Sequence, residues 1–319
     1  MSEKSSSSKR GQYSATVCAN KRISERIYRL GLEFSGVGAK SFAGTRPGQF
    51  AQLDLSGAAL PAAETIPENL RDAAERKVLL RRPFSFADVT TKGEKTSVEI
   101  LYCVVGPASL RMTTLSAGDS VSVIGPLGNG FWVPEGKKTA ILVSGGMGAG
   151  PLQHMAKTLT ADFPALDVIA FAGAKTKDEL PFKRQLDKIA QQLEFSLPEF
   201  GIYGVKSLVA TDDGTAGFAG LVTDCLLDWL GRCDLDSKSM VIYSCGPEVM
   251  LARITDIAKE KNIDCQVSME RRMACGFGIC QSCAIECRAA GSNETVYKLC
   301  CEDGPVFDAK EVAFWPQRI

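Results

Sequence analysis

The sequence is nearly devoid of histidine: His154 is the only one among 319 residues. A chemistry built on paired histidines, or a histidine-rich metal site, is therefore excluded. His154 falls in a predicted helix, where we expect it to be a solvated residue rather than a catalytic one.

Net charge and long apolar runs are also missing. The 37 lysines and arginines balance 37 aspartates and glutamates, which argues against a nucleic-acid-binding protein that relies on overall charge. No run of about 18 apolar residues occurs, so no membrane span is expected. The start, MSEKSSSSKRGQYS, lacks the apolar segment of a secretory signal, and residues 1–12 are predicted to be a disordered tail.

Cysteine, by contrast, is abundant, with twelve in the chain. In a chain without a secretory signal, clustered cysteines are more typical of metal binding than of disulfides, so we expect a reducing, cytoplasmic compartment. Half of the cysteines crowd into one short stretch: Cys275, Cys280, Cys283, Cys287, Cys300 and Cys301.

The first part of the chain, residues 13–136, has the period of two that β-strands require. Leu30, Leu32 and Phe34, for example, alternate with polar or small residues. Turn residues punctuate these runs, which together predict an antiparallel β-barrel or sandwich. Residues 55–78 break the rhythm and are predicted to be an insertion with a short helix.

The second part, residues 137–262, alternates buried strands with amphipathic helices, one of them predicted over residues 180–193. Repeated βα units predict a parallel sheet covered by helices. Residues 263–319 are rich in cysteine and glycine and too short for a core of their own. We therefore predict a multidomain β plus α/β protein that ends in a small metal-binding module.

The spacing within that module is the strongest chemical signal. Cys275, Cys280 and Cys283 form C-x4-C-x2-C, which with a more distant cysteine is the plant-type 2Fe-2S pattern. A zinc site or unligated buried cysteines are the alternatives. Cys300 and Cys301 point to opposite sides if that segment is extended, so only one is expected to face the cluster, and spacing alone leaves the fourth ligand open between them.

A second signal is a glycine-rich turn between a strand and a helix. Such a turn lets backbone N–H groups at a helix N-terminus approach a diphosphate, although a plain tight turn is the alternative. Lys175 and Lys177 follow the next strand where an acidic residue would mark NAD, so NADP is not excluded. The candidate nucleotide-binding residues are Gly145, Gly146, Gly148 and Pro151.

Two further signals are weaker. A small thiol followed by Gly-Pro at a strand end lets a flat nicotinamide approach, with a core cysteine and a helix start as the alternative. In the barrel, an arginine can neutralise a diphosphate and a serine can bind a flavin edge, while a second segment could offer N–H groups to the same phosphate. The candidates are Cys245, Gly246, Pro247 and Met250 for nicotinamide, and Arg82, Pro83, Phe84, Ser85, Gly106 and Ser109 for flavin.

Taken in order, these motifs resemble the ferredoxin-NADP reductase superfamily along nearly the whole chain. The C-terminal segment MERRMACGFGICQSCAIEC and the later CEDGPVF are similar to the electron-transfer subunits of class 1B dihydroorotate dehydrogenase. The resemblance implies FAD on the barrel, NAD on the α/β domain, and a 2Fe-2S cluster on Cys275, Cys280, Cys283 and Cys301.

The resemblance also implies a partner and a role. In that family, an FMN-containing catalytic subunit oxidises dihydroorotate, and electrons pass through the cluster and FAD to NAD+; a heterotetramer is implied. A reductase serving an oxygenase, hydrogenase or ferredoxin is the alternative. The segment Gly106–Ser109 and the insertion at 55–78 depart from the family pattern.

Overall fold

The computed structural model describes residues 10–182, 197–289, 292 and 294–314. The helix predicted over 180–193 lies mostly outside these residues. Two residues of the predicted N-terminal tail, Gly11 and Gln12, belong to the first strand. No helix in the described ranges is long and apolar enough to cross a membrane.

The first part of the chain forms a seven-stranded sheet in which every neighbouring pair is antiparallel, in the order β4-β3-β7-β1-β2-β6-β5. The predicted barrel-like architecture is confirmed. Its elements are β1 (Gly11–Arg22), β2 (Ile27–Phe34), α1 (Gly36–Ala43), β3 (Phe50–Leu53), α2 (Arg71–Ala74), β4 (Arg82–Ser85), β5 (Asp88–Lys92), β6 (Lys95–Cys103), α3 (Pro107–Met112) and β7 (Ser120–Leu127).

Alternation explains how this sheet makes a core. Leu30, Leu32 and Phe34 are fully buried on one face of β2, as their period of two predicts. The insertion at 55–78 is short helical turns that bury Leu70 against the same core.

The second part is a sheet of parallel strands flanked by helices. Every residue of its two central strands, β8 and β12, is buried, which is typical of strands covered on both faces. The elements are β8 (Thr139–Gly145), α4 (Ala149–Asp162), β9 (Asp167–Ala174), α5 (Pro198–Gly201), β10 (Lys206–Thr211), β11 (Phe218–Ala219), α6 (Val222–Arg232), β12 (Met240–Cys245), α7 (Glu248–Lys261) and β13 (Asp264–Ser268).

The C-terminal residues add β14 (Ala284–Arg288), β15 (Thr295–Leu299) and β16 (Val306–Asp308). β14 and β15 form a small hairpin, while β16 pairs antiparallel with β13 and completes the sheet order β11-β10-β9-β8-β12-β13-β16. The cysteine-rich region is thus joined to the nucleotide sheet by main-chain hydrogen bonds, which fixes its place beside that domain.

The first two regions meet through polar contacts of α4. The Lys157 ammonium donates to the Asp88 carboxylate over 2.5 Å, and the Arg29 guanidinium donates to the Gln153 side chain over 3.1 Å. His154 lies beside this seam and is only 4 % exposed, so the expectation of a solvated histidine is wrong. α4 packs against the barrel through this face, and the sequence alone did not reveal that partner surface.

Burial gives His154 a predictable effect on stability. Burial, with a smaller effect of nearby Lys157, lowers the pKa of His154 to about 4, against a raising effect of Asp88. Between pH 4 and 6.5 the unfolded chain therefore binds more protons than the folded one, and stability falls as pH falls through that window. The loss amounts to about 3 kcal/mol across the window.

Denaturant unfolding of the wild type and a His154→Leu variant, at pH 7.5 and at pH 4.5, measures this contribution. We expect the free energy of unfolding of the variant to decrease less on acidification than that of the wild type. Equal decreases in the two proteins would show that His154 stays protonated, or titrates alike, in both states.

Candidate functional site

One cavity of about 400 Å³ brings together residues of the barrel motif and of the glycine turn. Its wall combines the barrel strand β4, the glycine turn before α4, and the segment that follows β13. Such a volume is within the range of small-molecule sites. Residues that line it include Phe50, Pro83, Phe84, Ser85, Tyr102, Met147, Gly150, Pro151, Ser268, Met269, Glu270, Arg271 and Pro305.

The barrel side of the cavity is built on the pairing of β3 with β4. Phe50 lies opposite Ser85 in this pair, and both line the cavity with the ring of Tyr102 nearby. Aromatic walls with a single hydroxyl suit a flat ring that needs one directed hydrogen bond. These residues fit the isoalloxazine ring of FAD.

The two arginines before this strand have different partners. The Arg81 guanidinium donates to the Ser122 carbonyl oxygen over 2.8 Å and pairs with the Asp54 carboxylate over 3.4 Å. Arg82, among the described residues, bonds only the carbonyl oxygens of Leu80 and Arg81, at 2.8 and 3.2 Å. Most donors of Arg82 therefore remain for a ligand, while Arg81 ties the strand to β7.

In the segment after β6, the Ser109 side chain makes its hydrogen bonds within the segment itself. The Ser109 hydroxyl accepts hydrogen bonds from the backbone N–H groups of Val105 and Gly106, at 2.9 and 3.1 Å. Gly106 has an extended backbone, and a Cβ added to it would meet no atom within 4 Å. The hydroxyl of Ser109 thus shapes the turn, and the role of this segment in phosphate binding stays a prediction.

The glycine turn and the Cys-Gly-Pro turn pack directly against each other. They follow β8 and β12, which are neighbours in the sheet. A Cβ on Gly148 would lie 2.0 Å from the carbonyl oxygen of Cys245, and one on Gly145 would lie 2.8 Å from both Pro247 and Met250. The absence of side chains is what lets the two turns meet at the carboxyl edge of the sheet, where ligands of such sheets bind.

Cys245 contributes its backbone carbonyl group to this contact. Its side chain is buried, and burial, more than the neighbouring Glu270 carboxylate, raises the pKa of the Cys245 thiol. A hydrogen bond with Ser268 acts in the opposite direction. The group is therefore a neutral, compact thiol at pH 7 and suits close packing better than nucleophilic attack.

Four cysteines of the C-terminal region lie in two pairs. The Cys280 N–H donates to the Cys275 sulfur over 3.4 Å, and the side chain of Cys283 is hydrogen-bonded to that of Cys301. The Ser282 hydroxyl, and next the hydrogen bond with Cys275, lower the pKa of Cys280 to about 6. Thiolates are the form that binds metal.

This pairing tests which metal group the site fits. Within the described residues, no group of three or more Cys, His, Asp or Glu side chains converges on the position of a single ion. Two pairs of thiols instead match a group that offers two metal atoms, each with two protein ligands. The arrangement fits a 2Fe-2S cluster better than a tetrahedral zinc ion.

Neighbouring Cys300 and Cys301 face different ways. The Cys301 sulfur accepts a hydrogen bond from the Gly278 N–H over 3.2 Å, within the loop of residues 275–283, which we call the cysteine loop. The Cys300 thiol instead donates to the Met269 carbonyl oxygen over 3.0 Å, and its burial raises its pKa. This geometry supports Cys301 as the fourth ligand, whereas the Cys300 thiol is bonded to the segment Ser268–Arg271 that lines the cavity.

Comparison with known proteins identifies the family. The iron-sulfur cluster binding domain of dihydroorotate dehydrogenase B matches residues 270–313, and an oxidoreductase NAD-binding domain matches residues 142–256. The dihydroorotate dehydrogenase B (NAD(+)) electron transfer subunit of Caldanaerobacter subterraneus is 32% identical over 305 residues, covering 96% of this chain and 100% of the relative. This chain belongs to the family of dihydroorotate dehydrogenase B electron transfer subunits. The subunit of Bacillus velezensis is 36% identical over 301 residues, covering 93% and 97% of the two chains.

Solved structures agree with the fold of this electron transfer subunit. The NADH-dependent reduced ferredoxin-NADP oxidoreductase, studied for flavin-based electron bifurcation, superimposes with a TM-score of 0.69 and 26% identity over 94% of this chain and 90% of that one. A ferredoxin NADP+ reductase from Neisseria gonorrhoeae, with bound FAD and NADP, has a TM-score of 0.54 at 13% identity, covering 82% and 95%. The latter supports the fold alone.

Two features of the site had no part in the sequence motifs. The segment Ser268–Arg271 lines the cavity because it follows the carboxyl end of β13, a position that the same edge rule could have indicated. Glu270 lines the cavity, and its burial there raises the pKa of its carboxyl group. Gln52, on β3, lies against the cysteine loop without any sequence signal to indicate it.

Proposed function

We propose that this subunit transfers electrons between a 2Fe-2S cluster, FAD and NAD, and so channels electrons from dihydroorotate oxidation by an FMN-containing catalytic subunit to NAD+ in pyrimidine biosynthesis. The observation that carries the proposal is the single cavity shared by the barrel strand, the glycine turn and the segment that leads to the cysteines. When bound, FAD joins the hydride chemistry of nicotinamide to the one-electron chemistry of iron-sulfur centres.

The residues of the chain bind and orient these groups. Ser85 offers its hydroxyl to the flavin ring, Pro83 and Phe84 form its wall, and Arg82 neutralises the diphosphate. At the other end, Cys275 and Cys280 would hold one iron, and Cys283 and Cys301 the other. No side chain is assigned as a catalytic acid or base.

The nicotinamide dinucleotide is assigned to the facing turns. Backbone N–H groups near Gly146 and Gly148 suit its diphosphate, while Cys245 and Gly246 leave room for a flat ring beside the flavin. Pro151, Pro247 and Met250 fix the two helix starts. Gly145, which tolerates no side chain, keeps these turns together.

The state of the cysteines also bears on the compartment in which the protein works. None of the twelve cysteines forms a disulfide in the structure, which suits a reducing compartment, and we propose a cytoplasmic location. We also propose that the chain assembles with the FMN-containing catalytic subunit as a heterotetramer. The domain limits 13–136, 137–262 and 263–319 remain our assignment.

Reconstitution tests the function. The purified subunit alone is expected to oxidise NADH with artificial acceptors and to form no orotate from dihydroorotate. Mixed with the FMN-containing catalytic subunit, it should give NADH formation that depends on dihydroorotate and on both proteins. Orotate formation by the isolated chain would contradict the assignment.

Substitution of the two arginines tests the flavin site. Arg82→Ala is expected to weaken FAD binding about tenfold to a hundredfold, because a charge-assisted hydrogen bond contributes roughly 1.5–3 kcal/mol. Arg81→Ala is the matched control, since its partners are the Ser122 carbonyl oxygen and Asp54. FAD titration by fluorescence measures both, and a larger loss of affinity in Arg81→Ala would reverse the assignment.

A further inference from the structure

The side chain of Gln52 is a buried amide without a protein partner. It has no exposed surface, and neither its Nε2 nor its Oε1 atom has a hydrogen-bond partner among the described residues. Leaving such a group unpaired costs roughly 1–3 kcal/mol, so buried amides in folded proteins nearly always have a partner. The position of Gln52 therefore indicates a ligand that its side chain meets.

The location of Gln52 indicates that this ligand is the cluster rather than the flavin. Gln52 lies two residues beyond Phe50 on β3, so both side chains leave the same face of the strand. Phe50 lines the flavin cavity, whereas the described lining does not include Gln52. β3 thus places the Phe50 side chain in the wall of the flavin cavity and the Gln52 side chain against the cysteine loop.

The contact with the loop is close. A Cβ on Gly276, the residue after Cys275, would lie 2.4 Å from the Gln52 Nε2 atom. The backbone of Gly276 has a φ of +81°, a conformation that glycine adopts easily. Glycine at this position lets the loop lie directly on the amide of Gln52.

We propose that the Gln52 side-chain amide donates a hydrogen bond to a cluster sulfur at the Cys275 end and thereby raises the reduction potential of the cluster. The inference rests on the proposed 2Fe-2S site. A donor stabilises the additional negative charge that the sulfurs carry after reduction. Gln52 is thus a positioning residue that couples the flavin-bearing strand to the cluster.

Gln52→Met tests this proposal, because methionine has a similar shape and no N–H donor. Redox titration of the cluster, followed by its visible absorbance, should show a potential at least about 59 mV more negative, which corresponds to a tenfold change in the one-electron equilibrium. Gln266→Met is the matched control: Gln266 is also buried, but its amide bonds the backbone of Trp132. An unchanged potential in Gln52→Met, or an equal shift in both variants, would overturn the proposal.

A second measurement detects the hydrogen bond directly and begins with the wild-type protein. Glutamine labelled with ¹⁵N at the side-chain amide should give a weak nuclear coupling to the reduced cluster in pulsed electron paramagnetic resonance. The coupling should persist in Gln281→Asn, which removes the exposed labelled amide next to Cys280, and should disappear in Gln52→Met. If Gln52→Met fails to hold a cluster, the coupling in the wild type and Gln281→Asn decides: its presence in both supports the proposal, and its absence from either overturns it. A wild-type chain without any cluster signal would instead refute the proposed function itself.

Discussion

Cys301→Ser is expected to abolish the 2Fe-2S absorbance and the reduction of one-electron acceptors that need the cluster. The Cys301 sulfur lies within the loop, bonded to the Gly278 N–H at 3.2 Å and to the side chain of Cys283. Loss of one of the four ligands would leave one iron with a single protein thiolate, and serine is a poor substitute in a site of soft ligands. Flavin reduction by NADH should survive, since its residues lie in another part of the chain.

Cys300→Ser is the matched control, because it changes the neighbouring thiol by the same atom. Its side chain donates to the Met269 carbonyl oxygen, and a serine hydroxyl can donate there too. We expect the cluster spectrum to be kept. Visible absorbance and iron content measured on both proteins decide the matter, and loss of the cluster from Cys300→Ser alone would move the fourth ligand to Cys300.

Gly148→Ala is expected to reduce the rate of flavin reduction by NADH on the order of a hundredfold. The added Cβ would lie 2.0 Å from the backbone carbonyl oxygen of Cys245, and a backbone atom cannot rotate out of the way. The two turns must therefore move apart, and a displacement of about 1 Å at a reacting centre can cost that much in rate. The strain should also lower the free energy of unfolding by about 1–3 kcal/mol.

Stopped-flow absorbance of the flavin after mixing with NADH measures the rate, and denaturant unfolding measures the stability. Gly231→Ala is a suitable control, since a Cβ there meets no atom within 4 Å and the residue lies in α6. The control should reduce its flavin at the wild-type rate. Wild-type behaviour of Gly148→Ala would mean that the close contact between the turns is unnecessary for hydride transfer.

Much of the fold was predictable because its periodicity is local. The alternation of Leu30, Leu32 and Phe34 is visible in the sequence and reappears as the buried face of β2. The C-x4-C-x2-C spacing likewise contains its own chemistry, because ligand spacing in a loop is a local property. Patterns of this kind can be interpreted without knowing which other segment the residues pack against.

The parts that sequence could not indicate depend on contacts between distant segments. His154 is buried because α4 packs near the barrel, and its neighbour Asp88 lies 66 residues away in sequence. Gln52 meets Gly276 across more than 200 positions (276 minus 52 gives 224). The choice between Cys300 and Cys301 depends on which of them faces Gly278 and which faces Met269, and spacing left it open.

An anaerobic titration of the purified chain with NADH tests the central claim most directly. The flavin absorbance and the electron paramagnetic resonance of the cluster are recorded in the same samples. Electron transfer between NAD, FAD and the cluster within one chain predicts that NADH bleaches the flavin and then gives the signal of a reduced 2Fe-2S centre, while Cys301→Ser gives only the bleaching. Bleaching without a cluster signal in the wild-type chain, although dithionite reduces its cluster, would contradict the claim.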